Sequence, residues 1–333
     1  MRVLLLGGTR YIGKRAVNAL IAHGHQVAVC HRGDTEPDDL PADVHHLHFD
    51  RKDLADHRDE ISRWSPDAVV DCLAMTPDDA DGALAAIPPG IRTVVLSSQD
   101  VYRAFGSIND AAITDEIPVD ETSPVRTERF YYRGVMPGGD DYSKLEVEDR
   151  FLARGGISLR LPMVYGEGDG QRREEFILRR VRAGRDRIPT GAGSGLLPRG
   201  YVGDVAEVIV KAVEVDGIEG EIFNVCETRS APMGLWAKQI LDAAGSTAGL
   251  VRVPDDELPP DLGILGAIPQ PFVASNEKAR TRLGWTDGDA LAALKASVTW
   301  HLEHPPQYPE GADPGFDADD AALAKADEAT AAE

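Results

Sequence analysis

The strongest constraint on this chain is a glycine-rich turn that arrives at its seventh residue. Val3-Leu4-Leu5-Leu6 is a short apolar run, and Gly7-Gly8-Thr9-Arg10-Tyr11-Ile12-Gly13 interrupts it at once. An uninterrupted apolar run of that length reads as a strand buried on both faces, the kind found in parallel sheets. Ile12, Ala16, Ala19, Leu20 and His23 then recur at three- and four-residue spacing until Gly24 stops them, which predicts a helix. Val27-Ala28-Val29-Cys30 opens a second strand directly afterwards. The rhythm continues with strands at 45–49, 68–72 and 93–97 and helices at 54–64 and 80–87. Strand and helix alternating in this way predict an α/β fold, a Rossmann-type doubly wound parallel sheet.

A glycine turn between a first strand and a first helix lets the backbone approach a pyrophosphate, whose charge the helix N-terminus stabilises through its N–H groups. Gly7, Thr9, Arg10, Tyr11, Ile12 and Gly13 are therefore the candidate cradle for a dinucleotide. The end of the second strand selects the dinucleotide, because an acid there binds the adenosine ribose and an arginine accommodates a 2′-phosphate. The sequence reads Cys30-His31-Arg32 at that place, with Arg10 nearby. Arg10, His31 and Arg32 thus favour NADP(H), with NAD(H) left open. Asp50, at the end of the third strand, either meets the adenine amino group or caps the next helix.

From 103 to 139 the pattern lapses into turn residues and aromatics, longer than ordinary connections and so a candidate site loop or lid. Regularity returns with a helix at 143–153, where Ser143 and Glu146 have capping-box spacing, a strand at 158–161 and helices at 174–183 and 205–213. The expected organisation is a dinucleotide-binding domain at 1–170, with 199–225 returning to it, and a substrate-binding subdomain at 171–198 and 226–305. Residues 306–333, rich in Asp, Ala and Glu with few apolar anchors, read as a disordered acidic tail.

Composition narrows the partners. With 35 basic against 56 acidic side chains and a net charge of −21, attraction to nucleic acid or an anionic membrane surface is disfavoured. The three cysteines are scattered, which excludes a disulfide framework or a zinc ribbon and suits a reducing cytoplasm. No apolar run approaches the roughly 18 residues a membrane span needs, so the chain reads as a soluble protein. His45, His46 and His48 lack helical pairing and a nearby cysteine, so they read as a partly exposed strand and no metal is expected. Gly191 to Gly195 has no following Lys-Ser or Lys-Thr and is not a phosphate-binding P-loop.

Several stretches together resemble a family. The glycine turn, Ser97-Ser98-Gln99-Asp100-Val101-Tyr102, Leu159-Arg160-Leu161-Pro162-Met163-Val164-Tyr165-Gly166, Arg199-Gly200-Tyr201-Val202-Gly203-Asp204-Val205-Ala206 and Ser275-Asn276-Glu277-Lys278-Ala279-Arg280, closing with Leu283-Gly284-Trp285, look like ordered landmarks. They are those of the NAD-dependent epimerase/dehydratase family, the extended short-chain dehydrogenases. The match runs from residue 1 to about 302, and the turn with Arg10 is similar to a divergent branch that includes the chloroplast stem-loop-binding proteins. The resemblance implies an NAD(P)-dependent epimerase, dehydratase or ketoreductase acting on a small-molecule substrate, a nucleotide sugar or similar hydroxyl-rich compound. It also implies a homodimer through a four-helix interface.

Carried over by position, Ser98 holds a substrate oxygen, Lys144 binds the nicotinamide ribose, and Leu73, Ala74, Pro162 and Val164 line the cofactor. Glu148 follows Lys144 by four residues, as a glutamate usually follows the family's lysine. The family's tyrosine should stand four residues before that lysine, where this chain has Asp140. Tyr142 is the nearest phenol, and on a continuous helix it would point about 200° away from Lys144. A helix beginning at Ser143 would free Tyr142 to reach the site as the acid–base residue; Asp140 as a replacement carboxylate, or loss of the chemistry, are the competing readings. Asp100 falls where dehydratases place an acid, although a cap is the plainer role. Tyr131, Tyr132 and Arg133 either touch substrate or anchor the loop. Arg172, Arg173, Arg179, Arg180, Arg182 and Arg185 either hold a nucleotide diphosphate, as arginines of this region do in the family, or pair with nearby acids. A non-catalytic dinucleotide-binding regulator or RNA-binding protein is the rival reading.

Overall fold

The computed structural model describes residues 1–34, 40–109, 112–308 and 315–332. The first half runs β1 (Arg2–Leu6), α1 (Tyr11–Ala22), β2 (Gln26–His31), β3 (His45–His48), α2 (Arg58–Trp64), β4 (Ala68–Asp71), α3 (Pro77–Ala86), β5 (Arg92–Ser98), α4 (Arg103–Asn109), α5 (Lys144–Leu152) and β6 (Ile157–Leu161). The second half runs β7 (Met163–Tyr165), α6 (Glu175–Arg182), β8 (Arg187–Thr190), β9 (Arg199–Tyr201), α7 (Val202–Glu214), β10 (Ile222–Asn224), α8 (Met233–Ala243), β11 (Gly249–Arg252), α9 (Glu277–Leu283), α10 (Ala290–Glu303) and α11 (Asp317–Ala332). None of the described helices is long and apolar enough to cross a membrane.

Seven strands form one parallel sheet in the order β10-β6-β5-β4-β1-β2-β3. The chain winds outward from β1 through β3, then returns beside β1 with β4 and winds the other way, so a crevice opens at the C-terminal ends of β1 and β4. Each face is covered, which is why the strands are apolar without alternation. Val3, Leu5, Val70 and Val94 pack under α1 and α7 with Val17, Leu20, Val205 and Ile209. Leu4, Leu6, Val69 and Val95 pack under α2, α3 and α5 with Ile61, Leu84, Val147 and Phe151. A further core gathers Tyr165, Ile177, Leu178, Trp236, Ile240, Leu265 and Leu294 between α6, α8 and α10, with β8 and β11 paired at its side.

Two expectations are corrected here. The stretch after Tyr102 holds a helix, α4, and is not wholly irregular. The acidic terminus is not a solvated tail: beyond 309–314, which lie outside the described residues, it forms α11 and buries Ala322 and Leu323. Its acids meet the arginines of α6 and β8. Fully buried Arg180 gives Nε and Nη2 to Asp319 at 2.6 and 2.7 Å and Nη1 to Asp261 at 2.8 Å. Arg185 pairs with Asp320 and Arg187 with Asp327, while Phe316 lies under the Arg179 guanidinium at 4.5 Å. Composition reads such a segment as unable to fold because its partners lie more than a hundred residues upstream.

Breaking a buried ion pair from one side strands the other charge. Asp319→Ala should therefore cost about 3 kcal/mol in equilibrium urea unfolding, whereas Asp320→Ala, at an exposed pair, should cost under about 1 kcal/mol.

Candidate cofactor and catalytic site

The crevice between β1 and β4 is a cavity of about 580 Å³ lined by Gly7, Thr9, Arg10, Tyr11, Ile12, Gly13, His31, Arg32, Asp50 and Leu73. Gly7 has φ +84°, and a Cβ there would sit 2.5 Å from the Leu73 Cγ. A Cβ on Gly13 would run into the Gly7 carbonyl oxygen. Only glycine lets α1 start this close to β1. Arg10 occupies the cap position of α1 in extended conformation, with no side-chain cap hydrogen bond and no acid in the first turn. A helix N-terminus left without a side-chain cap beside a glycine turn is a ready anion site, so these residues fit a dinucleotide's pyrophosphate.

Asp50 accepts from the Lys52 amide at 3.0 Å and so caps the next turn, while still lining the cavity. Arg32 pairs with Asp34 at 3.2 Å, both well exposed at the rim of the cavity. One wall escaped the sequence reading. Arg51 holds fully buried Asp71 through Nη1 and Nη2 at 2.8 and 2.7 Å and reaches Asp79 through Nε at 2.9 Å. Asp71 Oδ1 also accepts from the amides of Leu73 and Ala74 at 2.9 and 3.0 Å, fixing the turn that carries Leu73. The available signal was a carboxylate ending an apolar strand, since a buried charge requires a partner.

At the end of β5, five side chains converge: Ser98, Asp100, Arg126, Tyr132 and Tyr142. Ser143 caps α5 by accepting from the Glu146 amide at 3.3 Å, so the helix starts at Lys144 and Tyr142 stands outside it. The Tyr142 hydroxyl donates to Asp100 Oδ2 at 2.8 Å. Tyr132 donates to the same Asp100 oxygen at 3.2 Å. Arg126, buried, lies 3.5 Å from Asp100 Oδ1 and stacks on Tyr131 at 4.5 Å. The Ser98 hydroxyl accepts the Asp100 amide at 3.1 Å. Burial and then the Asp100 charge push the Tyr142 phenol far above its ordinary pKa, and Tyr132 is raised for the same reasons.

Lys144 is buried, with Nζ donating to the carbonyls of Ala74 at 2.6 Å and Leu96 at 2.9 Å. Burial pulls its pKa down to about 8, against the opposing pull of Asp100 and Asp71. One turn on, Glu148 receives Arg160 Nε and Nη2 at 2.9 and 2.7 Å, locking α5 to β6.

Other expected residues lie elsewhere. Asp140 is exposed and accepts from the Gly134 amide at 2.9 Å, and its carbonyl holds Arg133, so neither residue joins Asp100. Tyr131 donates to the Gly106 carbonyl at 3.3 Å. Val164 is buried in the core beneath α7, and Pro162 packs against Gly200; neither lines the cavity. The arginines from 172 to 185 face acids and carbonyls: Arg172 and Arg182 meet Glu175, Arg173 approaches Asp169 at 3.9 Å, and Arg179 bonds Asp261 at 3.0 Å. The pairing alternative therefore describes this stretch.

A doubly wound sheet with a glycine turn at its switch point defines a dinucleotide-binding protein of the Rossmann type. The model of the NAD dependent epimerase/dehydratase family matches residues 3–133 and 141–226, and the chain belongs to that family. Among its relatives, the chloroplast stem-loop binding protein of 41 kDa b of Arabidopsis thaliana is 27% identical over 302 residues, covering 85% of this chain and 74% of the relative. UDP-glucose 4-epimerase of Lacticaseibacillus casei is 25% identical over 340 residues, 92% of this chain and 98% of that one. The fold is also that of UDP-glucose-4-epimerase from Stenotrophomonas maltophila, solved with NAD and formylated UDP-arabinopyranose. That structure has a TM-score of 0.70 at 18% identity and covers 91% of this chain and 98% of its own.

The depressed Lys144 pKa has a stability signature. Between about 8 in the fold and 10.5 in the unfolded chain, only the unfolded state holds the extra proton, so this lysine's contribution rises with pH across that window. Melting temperatures followed through it should climb more steeply for the wild-type chain than for Lys144→Met.

Proposed function

We propose that the chain is an NAD(P)-dependent enzyme that interconverts a secondary alcohol and a ketone on a hydroxyl-rich, nucleotide-sugar-like substrate. The observation that carries this reading is the 2.8 Å contact of Tyr142 with Asp100 beside Ser98, at the mouth of the strand next to the Lys144 helix. The amides from Gly7 to Gly13 would hold the pyrophosphate, His31 and Arg32 the adenosine ribose, and Lys144 the nicotinamide ribose. A bound nicotinamide supplies or takes the hydride.

The chain's own side chains handle the proton. Tyr142, held protonated beside Asp100, is poised as a general acid that gives its O–H proton to a substrate carbonyl oxygen while the Ser98 hydroxyl orients that oxygen. In the opposite direction the phenolate left on Tyr142 takes that proton back from the substrate hydroxyl and restores its own bond to Asp100. Arg126 and Tyr132 keep the Asp100 carboxylate in place for both. Epimerisation, reduction and dehydration share this step and differ in how substrate sits against it. The preference for NADP(H) drawn from Arg10 and Arg32 is weakened by Asp34, which neutralises Arg32 and offers a carboxylate to ribose hydroxyls. The rival RNA-binding reading finds support in the name of the Arabidopsis relative, but the net charge of −21 and the acid-paired arginines oppose it.

Titration with NADPH and with NADH, followed by calorimetry, should reveal binding of at least one; binding of neither would refute the proposal. With a sugar-nucleotide panel as substrate, Tyr142→Phe should lower kcat by about 10²- to 10⁴-fold while leaving dinucleotide affinity within a few-fold, and an unchanged kcat would remove Tyr142 from its role.

A further inference from the structure

β2 and β3 lie side by side with Val29 opposite His46 and His31 opposite His48. Residues two apart on a strand share a face, and opposite residues on paired strands do too. His31, His46 and His48 therefore project from the same face at the C-terminal ends of two neighbouring strands. Their ligand nitrogens all lie within 4.8 Å of one another. His31 Nε2 is 2.8 Å from His46 Nδ1, and the rings of His31 and His48 stand edge to face with centroids 4.7 Å apart. In the sequence the histidines of β3 lack helical pairing, and His31 comes beside them only when β2 pairs with β3.

We propose that His31, His46 and His48 form a site for a divalent transition metal of the zinc class. Imidazole is the preferred ligand of such ions, and three of them leave a fourth position open to water or a ligand oxygen. Zinc–nitrogen bonds of about 2.1 Å place tetrahedral ligands roughly 3.4 Å apart, a spacing the trio reaches by small ring rotations. The Gly33 amide donates to His31 Nδ1 at 3.2 Å, which puts the ring proton of neutral His31 on Nε2, facing His46. Coordination through Nε2 moves that proton to Nδ1 and gives up the Gly33 contact in exchange for a metal–nitrogen bond. Gly33, at φ +87°, lies in an exposed turn that can yield. The site sits at the rim of the dinucleotide cavity, which His31 also lines.

The test is a calorimetric titration of the untagged, metal-free protein with zinc chloride alone, repeated with cobalt(II) and read by its visible absorption. One ion per chain and the intense absorption of tetrahedral cobalt are expected. His46→Ala and His48→Ala should each weaken zinc at least about tenfold, with melting temperature and circular dichroism unchanged because both side chains are at least partly exposed on an edge strand. Absence of zinc binding, or affinity that survives both substitutions, would overturn the site. No dinucleotide enters the titration, so its outcome is independent of the proposed enzyme activity.

Discussion

The closeness of α1 to β1 governs everything functional in this molecule. At Gly13 a methyl group would meet the Gly7 carbonyl, and at Gly7 it would meet Leu73, so the helix can start directly over the strand end only with these glycines. That approach aims the helix amides into the crevice where the sheet reverses its winding order. The opposite wall is fixed by a second constraint, the burial of Asp71. Its carboxylate is shared between Arg51 and two turn amides, so the Leu73 turn is braced by charge where α1 is braced by contact.

The cluster proposed to handle the proton depends on the same economy of buried charge. Lys144 enters the protein surrounded by carbonyl oxygens, and Glu148 on its helix is committed to Arg160. With the glutamate occupied, the carboxylate that the phenol of Tyr142 bonds among the described residues is Asp100. Two phenols and a guanidinium gather around one carboxylate, the arrangement on which the proposed proton transfer through Tyr142 rests.

Much of this was legible from residue order. The glycine turn, the alternation of strand and helix, and the capping-box spacing of Ser143 and Glu146 are local signals, and each corresponds to an element or cap in the structure. What stayed hidden depends on long-range pairing. α11 looked like a solvated tail because its partners, Arg180 and Arg187, lie about 140 positions away. Arg51 and Asp71 meet across two strands, and the histidines of β3 meet His31 only once β2 lies beside them. Val164 and Pro162 were assigned by position in a motif; Val164 lies in the core, while half-buried Pro162 packs against Gly200.

The order in which the sheet is completed also bears on how the chain can be divided. β10, the last strand of the parallel sheet, is reached only after the excursion through α6 and β8, and α7, which roofs one face of that sheet, comes from the same return. The two cores are thus interleaved along the chain. No single cut separates a cofactor-binding half that keeps its own roof, and the piece ending near residue 170 would present Val17, Leu20 and Val94 to water. Inheritance, rearrangement and engineering of this molecule must therefore treat the first three hundred residues as one unit of exchange.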